Sequence, residues 1–291
     1  MISEFSITYL LQFDDDTSPL TEGMLDSMPL ARYAARYWID HAISGGMVST
    51  VLQLILCLFT SESAALKNWI RIHNIDGWGS WEFQNLSMDR VCSALYYSSL
   101  AGMEEVLDCL LQKGENTNVK GGRFGNPLQA ASYEKHEEIV KLLLENGAEV
   151  NAEGGYYGNA LQAASYSDNE AIVKLLLENG AEVNAEGGEY GNALQAASYG
   201  GNEATVKLLL ENGAGVNAEG GEYGNALHAA SLSGNEAIVK LLLENGAGVN
   251  AEGGRYGNAL QAASYGGNEA ILKLLLENGP GVNAEEHQEN I

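Results

Sequence analysis

The chain has 291 residues, 45% of them hydrophobic and 8% aromatic, with a formal net charge of −24. That length exceeds a single typical domain, and the charge is uneven: residues 1–90 carry −6 and the remainder −18. So acidic a surface repels nucleic-acid phosphates and anionic lipid headgroups, which predicts no nucleic acid and no membrane among the partners and favours a basic or neutral protein.

The first residues, Met1–Asp16, have no basic region and reach Asp14, Asp15 and Asp16 early, unlike a secretory signal. The longest apolar run, Val51–Phe59, is interrupted by Gln53 and falls short of the ~20 residues that span a bilayer. Cys57, Cys92 and Cys109 form an odd, sparse set without a CxxC pair, which suits small buried thiols in a reducing compartment. Together these features predict an intracellular, cytoplasmic protein. Leu30, Tyr33, Ala34, Tyr37, Trp38 and His41 recur at helical spacing behind Pro29 and predict an amphipathic helix. All four tryptophans (Trp38, Trp69, Trp78, Trp81) precede residue 90. Residues 1–87 are therefore expected to form a small helical region whose aromatic residues pack a core rather than line a ligand cage.

From residue 88 the chain is periodic. Gly158-Asn159-Ala160-Leu161-Gln162-Ala163-Ala164-Ser165 returns at Gly191, Gly224 and Gly257, with a variant at Gly125, each step being 33 residues. Within one unit Asn159 is placed to cap a first helix, Ala160–Tyr166, with Leu161 and Ala164 facing inward. Asn169 then opens a second, Glu170–Asn179, with Ile172, Leu175 and Leu176 as its stripe and Val173 and Leu177 widening it. Glu170, Lys174 and Glu178 lie four apart on the opposite, solvated face. Gly180 is read as the left-handed residue that ends the second helix. Helices this short are unstable alone in water, so their order must come from stacking on neighbours. Stepping back 33 residues from Asn126 reaches Ser93, where a degenerate first unit brings the count to six.

The segments Asn-Ala-Leu-Gln and Ile-Val-Lys-Leu-Leu-Leu-Glu-Asn-Gly-Ala resemble the ankyrin repeat, with Asn for the usual Thr and Gln for the usual His. Only Pro127 and His228 restore the commoner letters. The resemblance implies an all-α solenoid of about six 33-residue helix-turn-helix units over residues 88–284, preceded by the helical region 1–87 and followed by an acidic tail, 285–291. No polar capping repeat follows the last unit, so its outer edge is expected to be weakly protected or to meet a partner. The Gly-Gly-x-Tyr-Gly-Asn-Ala-Leu-Gln-Ala-Ala-Ser form is also similar to arrays at the C-terminal end of fungal NACHT-type (STAND, NOD-like) proteins. Pro29–Ala42 and Leu66–Arg71 look like the helical linker that precedes those arrays.

Catalytic chemistry finds no foothold. The glycine pairs from Gly121-Gly122 to Gly253-Gly254 lack the Lys-Ser/Thr of a phosphate loop and read as turns. His41, His73, His136, His228 and His287 show no metal-ligand spacing, so no metal and no cofactor are expected. What remains is a binding surface. The residue after each glycine pair reads Arg123, Tyr156, Glu189, Glu222, Arg255, and the end of each first helix reads Tyr133, Tyr166, Tyr199, Leu232, Tyr265. In ankyrin proteins those positions form the concave recognition face, so the resemblance implies that these ten residues contact a protein ligand. The competing expectation is that the tyrosines fill gaps between repeats. A non-enzymatic interaction module, the recognition part of a NOD-like receptor, is the leading reading. The alternatives are part of a nucleotide-switched NTPase receptor whose catalytic half lies elsewhere, and a structural spacer.

Overall fold

A computed structural model describes residues 1–14, 20–60, 63–77 and 91–279. The expectations placed on Asp15, Asp16, Trp78, Trp81, His287 and the 285–291 tail lie outside those residues. The described chain is all-helical, with isolated glycine-rich bridges in place of strands. It divides into two compact units, Met1–Ala148 and a second that begins at Glu149.

In the first unit, α1 (Ile2–Leu11), α2 (Glu22–Leu25), α3 (Ala31–Ser44), α4 (Ser49–Leu58) and α5 (Ala64–Ile72) precede two helix pairs. These are α6 (Ala94–Ala101) with α7 (Glu104–Gln112), and α8 (Pro127–Tyr133) with α9 (Glu137–Glu145). Helix α1 packs on α3 and α4, and α3 on α5. An aromatic cluster joins this region to the first helix pair. Trp38 and Trp69 meet edge to face at 5.1 Å, Phe59 stacks on Trp69 at 5.9 Å, and Trp69 reaches Tyr97 of α6 at 6.1 Å. The Trp69 indole N–H donates to the Ala35 carbonyl at 2.8 Å, so the buried ring keeps its one donor satisfied.

The predicted stripe of α3 is rotated. The helix starts at Ala31, two residues after Pro29, and buries Ala31, Ala34, Ala35, Trp38 and Ala42. Leu30 and Tyr33, both expected inside, are 41% and 44% exposed. The alanines let neighbouring helices approach closely, while Tyr33 and Tyr37 (ring centroids 5.1 Å apart) form an outer strip. Tyr33 Oη lies 2.9 Å from His41 Nε2 on that strip.

The second unit stacks four helix pairs: α10 (Ala160–Tyr166) and α11 (Glu170–Glu178), α12 (Ala193–Gly200) and α13 (Glu203–Glu211), α14 (Ala226–Ser233) and α15 (Glu236–Glu244), α16 (Ala259–Tyr265) and α17 (Glu269–Asn278). First helices pack on first helices and second on second. Asn159, Asn192, Asn225 and Asn258 each accept the backbone N–H three residues on at 2.9 Å, the N-cap geometry. Gly180 ends α11 at φ 87°. Of the α11 stripe, Ile172, Val173 and Leu176 are buried, whereas Leu175 and Leu177 are only half-buried. Asn169 caps α11 as expected, but Asn202 and Asn268 at the equivalent positions turn back to the preceding repeat. Their amides donate to the carbonyls of Ser165 and Tyr166, and of Ser231 and Leu232. Ion pairs Glu170–Lys174, Glu203–Lys207 and Glu236–Lys240 line the solvated face. In the last pair, Leu260, Tyr265 and Leu276 are 38%, 74% and 46% exposed, an apolar edge among the described residues.

Candidate interaction surface

The loop between helix pairs is built to bring successive tips into backbone contact. In the second unit Gly154 bridges Gly158, Gly187 bridges Gly191, and Gly220 bridges Gly224, closing a narrow hairpin each time. The second glycine of each pair adopts positive φ, and a Cβ at Gly188, Gly221 or Gly254 would lie 2.3–2.4 Å from the carbonyl carbon of Tyr157, Tyr190 or Tyr223 in the preceding repeat. Only glycine permits that approach. With the tips so close, Glu189 N–H donates to Tyr156 O at 3.0 Å, Glu222 N–H to Glu189 O at 2.9 Å, and Arg255 N–H to Glu222 O at 2.8 Å.

Four predicted contact residues, Tyr156, Glu189, Glu222 and Arg255, are thereby joined in one hydrogen-bonded rail. Their side chains are graded in charge. The Glu189 carboxyl is held above the ordinary range, chiefly by its hydrogen bond to Glu222. Glu222 is held below that range by the same bond and by the Arg255 guanidinium with which it is ion-paired. The Glu222 carboxylate faces the Arg255 guanidinium.

A second row runs beneath the rail. Tyr166 lies 5.1 Å from Tyr157 and 5.0 Å from Tyr190, and Tyr199 lies 5.5 Å from Tyr190 and 4.6 Å from Tyr223. Tyr265 sits 4.9 Å from Tyr256. Leu232 takes the position where a ring would stand between Tyr223 and Tyr256, and those two rings stack at 6.4 Å and 13°. The tyrosines at the first-helix ends are thus half-buried fillers in a ladder, except Tyr265, which is 74% exposed. The expectation that they fill gaps between repeats describes Tyr166 and Tyr199; each still presents part of its ring at the surface. Burial raises the Tyr190 and Tyr223 hydroxyls well above the ordinary phenol range.

Arg123 and Tyr133 belong to the first unit and have a different setting. Arg123 N–H donates at 2.8 Å not to a tip carbonyl but to the Asp76 carboxylate, which also accepts the Tyr96 hydroxyl at 2.5 Å. Phe124 N–H donates to Tyr96 Oη at 3.3 Å. Tyr133 packs on Phe124 at 4.7 Å, and the Arg123 guanidinium lies 5.3 Å from the same ring. Asp76 therefore does for this tip what a preceding carbonyl does for Glu189, Glu222 and Arg255. Burial raises the Asp76 carboxyl above its ordinary value, while both hydrogen bonds oppose the shift. Sequence reading missed Asp76, which lies outside the periodic part and carries no motif. It also gave no role to Phe124, Tyr157, Tyr190, Tyr223 and Tyr256, although their recurrence beside a variable neighbour was the available signal.

A buried polar residue of α10, α12 and α14 joins each to the following repeat. Gln162 Nε2 donates to Ala185 O at 3.0 Å, Gln195 Nε2 to Gly224 O at 3.0 Å, and His228 Nε2 lies 3.0 Å from Ala251 O. Among the described residues no three His, Cys, Asp or Glu side chains are grouped to hold a metal ion, and no helix is long and apolar enough to cross a membrane.

The family model for ankyrin repeats (3 copies) matches residues 41–154, 95–187, 160–253 and 194–286. The chain belongs to the ankyrin repeat family. It is similar to the ankyrin repeat domain of human ASB11, with a TM-score of 0.58 and 29% identity over 66% of this chain and 86% of that one. It also resembles an azaphilone pigments biosynthesis cluster protein L from Monascus ruber, 36% identical over 149 residues, 45% of this ankyrin protein and 30% of the relative. The chain thus spans less than a third of that relative's length. Ankyrin repeats are generally non-enzymatic scaffolds for protein–protein contact.

Proposed function

We propose that the second unit binds a protein ligand across its tip rail and the exposed edges of its ring ladder, with Tyr156, Glu189, Glu222, Arg255, Tyr166, Tyr199, Leu232 and Tyr265 as contacts. Arg123 and Tyr133 are the corresponding contacts of the first unit. The observation that carries this reading is the rail. A backbone ladder holds a tyrosine, two glutamates and an arginine in fixed order, so the positions of the recognition elements are preorganised and little backbone ordering is needed on binding. Aromatic edges beside it supply the rigid amphipathic area on which interface hot spots are built. Repetition at one spacing suits an extended or repetitive target.

On this reading residues 88–284 are the binding array and residues 1–87 a helical region joined to it, and the protein works in the cytoplasm as the recognition part of a fungal NOD-like receptor. The test compares the parent with a Tyr166→Leu, Tyr199→Leu, Arg255→Glu variant in quantitative capture from cell extract. Leucine is chosen because Leu232 already occupies the equivalent position, so the stack should survive and the melting curve should move little. A protein held by the parent and lost by the variant supports the surface. Identical captured sets from two equally folded proteins would refute it.

A further inference from the structure

The first unit contains a cleft of about 390 Å³ that the repeat surface does not use. It opens between α3, the segment following α5, and the C-terminal ends of α6 and α8. Its walls are apolar and aromatic, formed by Tyr37, Ile39, Ile75 and Leu100. Two carboxylates, Asp40 on α3 and Glu134 just after α8, also line it; neither carboxylate is hydrogen-bonded or ion-paired among the described residues, although Asp40 interacts through charge with His73 and Glu134 with Arg123, and burial raises the Glu134 carboxyl above its ordinary value. Of the cationic groups there, Arg36 is already engaged, its guanidinium lying 5.0 Å from the Tyr37 ring, and burial and the Arg36 charge push the His73 imidazole below its ordinary value, with Asp40 opposing the shift. The cleft thus combines walls that fit an aliphatic stem with a net negative lining in a strongly acidic protein.

We propose that this cleft receives a lysine or arginine side chain from a basic segment of a partner, the methylene stem lying on Ile39, Ile75 and Leu100 and the charged head between Asp40 and Glu134. Long basic side chains bury their stems on apolar surface while the head keeps polar contacts, which this lining provides. Two anionic acceptors from different helices can be met together by a forked guanidinium. The volume falls in the range of sites that take a small group. The proposal does not rest on the rail and ring ladder of the second unit.

The test titrates the full chain with N-acetyl-arginine methylamide, with the norleucine and glutamate analogues as comparisons. Methyl resonances of Ile39, Ile75 and Leu100 and the His73 ring signals report occupancy. Saturable shifts confined to those groups are expected with arginine below about 50 mM, and the Asp40→Asn, Glu134→Gln double variant should weaken binding about ten-fold. An exposed control, Glu104→Gln on α7, should leave affinity unchanged, and thermal melts check that each variant is folded. Equal binding of norleucine would reduce the site to a greasy patch and overturn the proposal. So would preference for glutamate, shifts spread over the acidic faces of the repeats, or no saturation.

Discussion

Replacing Gly221 by alanine tests whether the close approach of neighbouring tips holds the array together. Gly213 is the matched control: it also has positive φ, +87° against +61°, but its added Cβ would meet nothing within 4 Å. Both variants share the left-handed penalty of about 1–2 kcal/mol. At Gly221 the Cβ would also stand 2.4 Å from Tyr190 C and 2.5 Å from Gly191 N, both backbone atoms that cannot swing aside. Relieving that overlap means withdrawing one tip by about 1 Å, which breaks the 2.9 Å bond from Glu222 N–H to Glu189 O and loosens the 5.5 Å Tyr190–Tyr223 stack. A backbone hydrogen bond contributes about 0.5–1.5 kcal/mol net and an aromatic pair a similar amount beyond its area, so Gly221→Ala should cost about 2–5 kcal/mol against about 1–2 for Gly213→Ala. Urea unfolding followed by far-ultraviolet circular dichroism measures the difference, and amide exchange at Glu222 locates it. If the two variants fell within about 0.5 kcal/mol of each other, the tips would not be coupled as described.

Three further outcomes follow from the same contacts. Burial pushes the His228 imidazole below its ordinary value near 6.5, so in that window the unfolded chain binds more protons; its contribution is full above 6.5 and is lost as pH falls towards the folded value. His228→Gln, which installs the residue found at 162, 195 and 261, should flatten the pH dependence of urea midpoints between pH 7 and 5 relative to the parent; an unchanged slope would contradict this. The buried hydroxyls of Ser165, Ser198 and Ser231 have no partner among the described residues, whereas Ser132 Oγ donates to Leu128 O at 2.7 Å. Ser198→Ala should therefore be neutral or stabilising by up to about 1 kcal/mol and Ser132→Ala destabilising by about 1 kcal/mol, and calorimetric melts showing the reverse order would overturn the assignment. Asp76→Ala should cost about 2–3 kcal/mol and speed exchange of the Arg123 amide, because two hydrogen bonds to a carboxylate vanish while their donors stay partly buried; unchanged exchange at Arg123 would exclude Asp76 as the cap of that tip.

The repeating part was legible because its signals are local and redundant. Asn caps, helix lengths and the glycine that ends each second helix follow from single-residue chemistry repeated at one spacing, so errors in one unit are corrected by the next. Which leucine turns inward is less local: Leu208 and Leu209 are equally apolar in sequence, yet Leu209 is fully buried and Leu208 half-exposed to the outer side. In α3 the same limit produced a rotated stripe, since periodicity ranks tyrosine and leucine above alanine while close helix packing selects the alanines. Asp76 was beyond reach for a different reason. Its role depends on a partner 47 positions away that it meets only once, so no recurrence exposes it.

The variable and the invariant tip positions divide the work between recognition and cohesion. Tyr190 and Tyr223 are buried between the rings of the repeats before and after them, so a change there removes ring contacts on both sides and is felt through two repeats. The neighbouring rail residues bond to one another through backbone atoms, which any side chain supplies. Tyrosine, glutamate and arginine can therefore alternate at Tyr156, Glu189, Glu222 and Arg255 without disturbing the ladder, and charge can be varied at fixed geometry. Electrostatic complementarity governs which partners are admitted more than how tightly they are held. A scaffold whose cohesion lies in buried rings and glycines, and whose rail accepts any side chain, can change its partner by single substitutions at the tips while each repeat keeps the same fold.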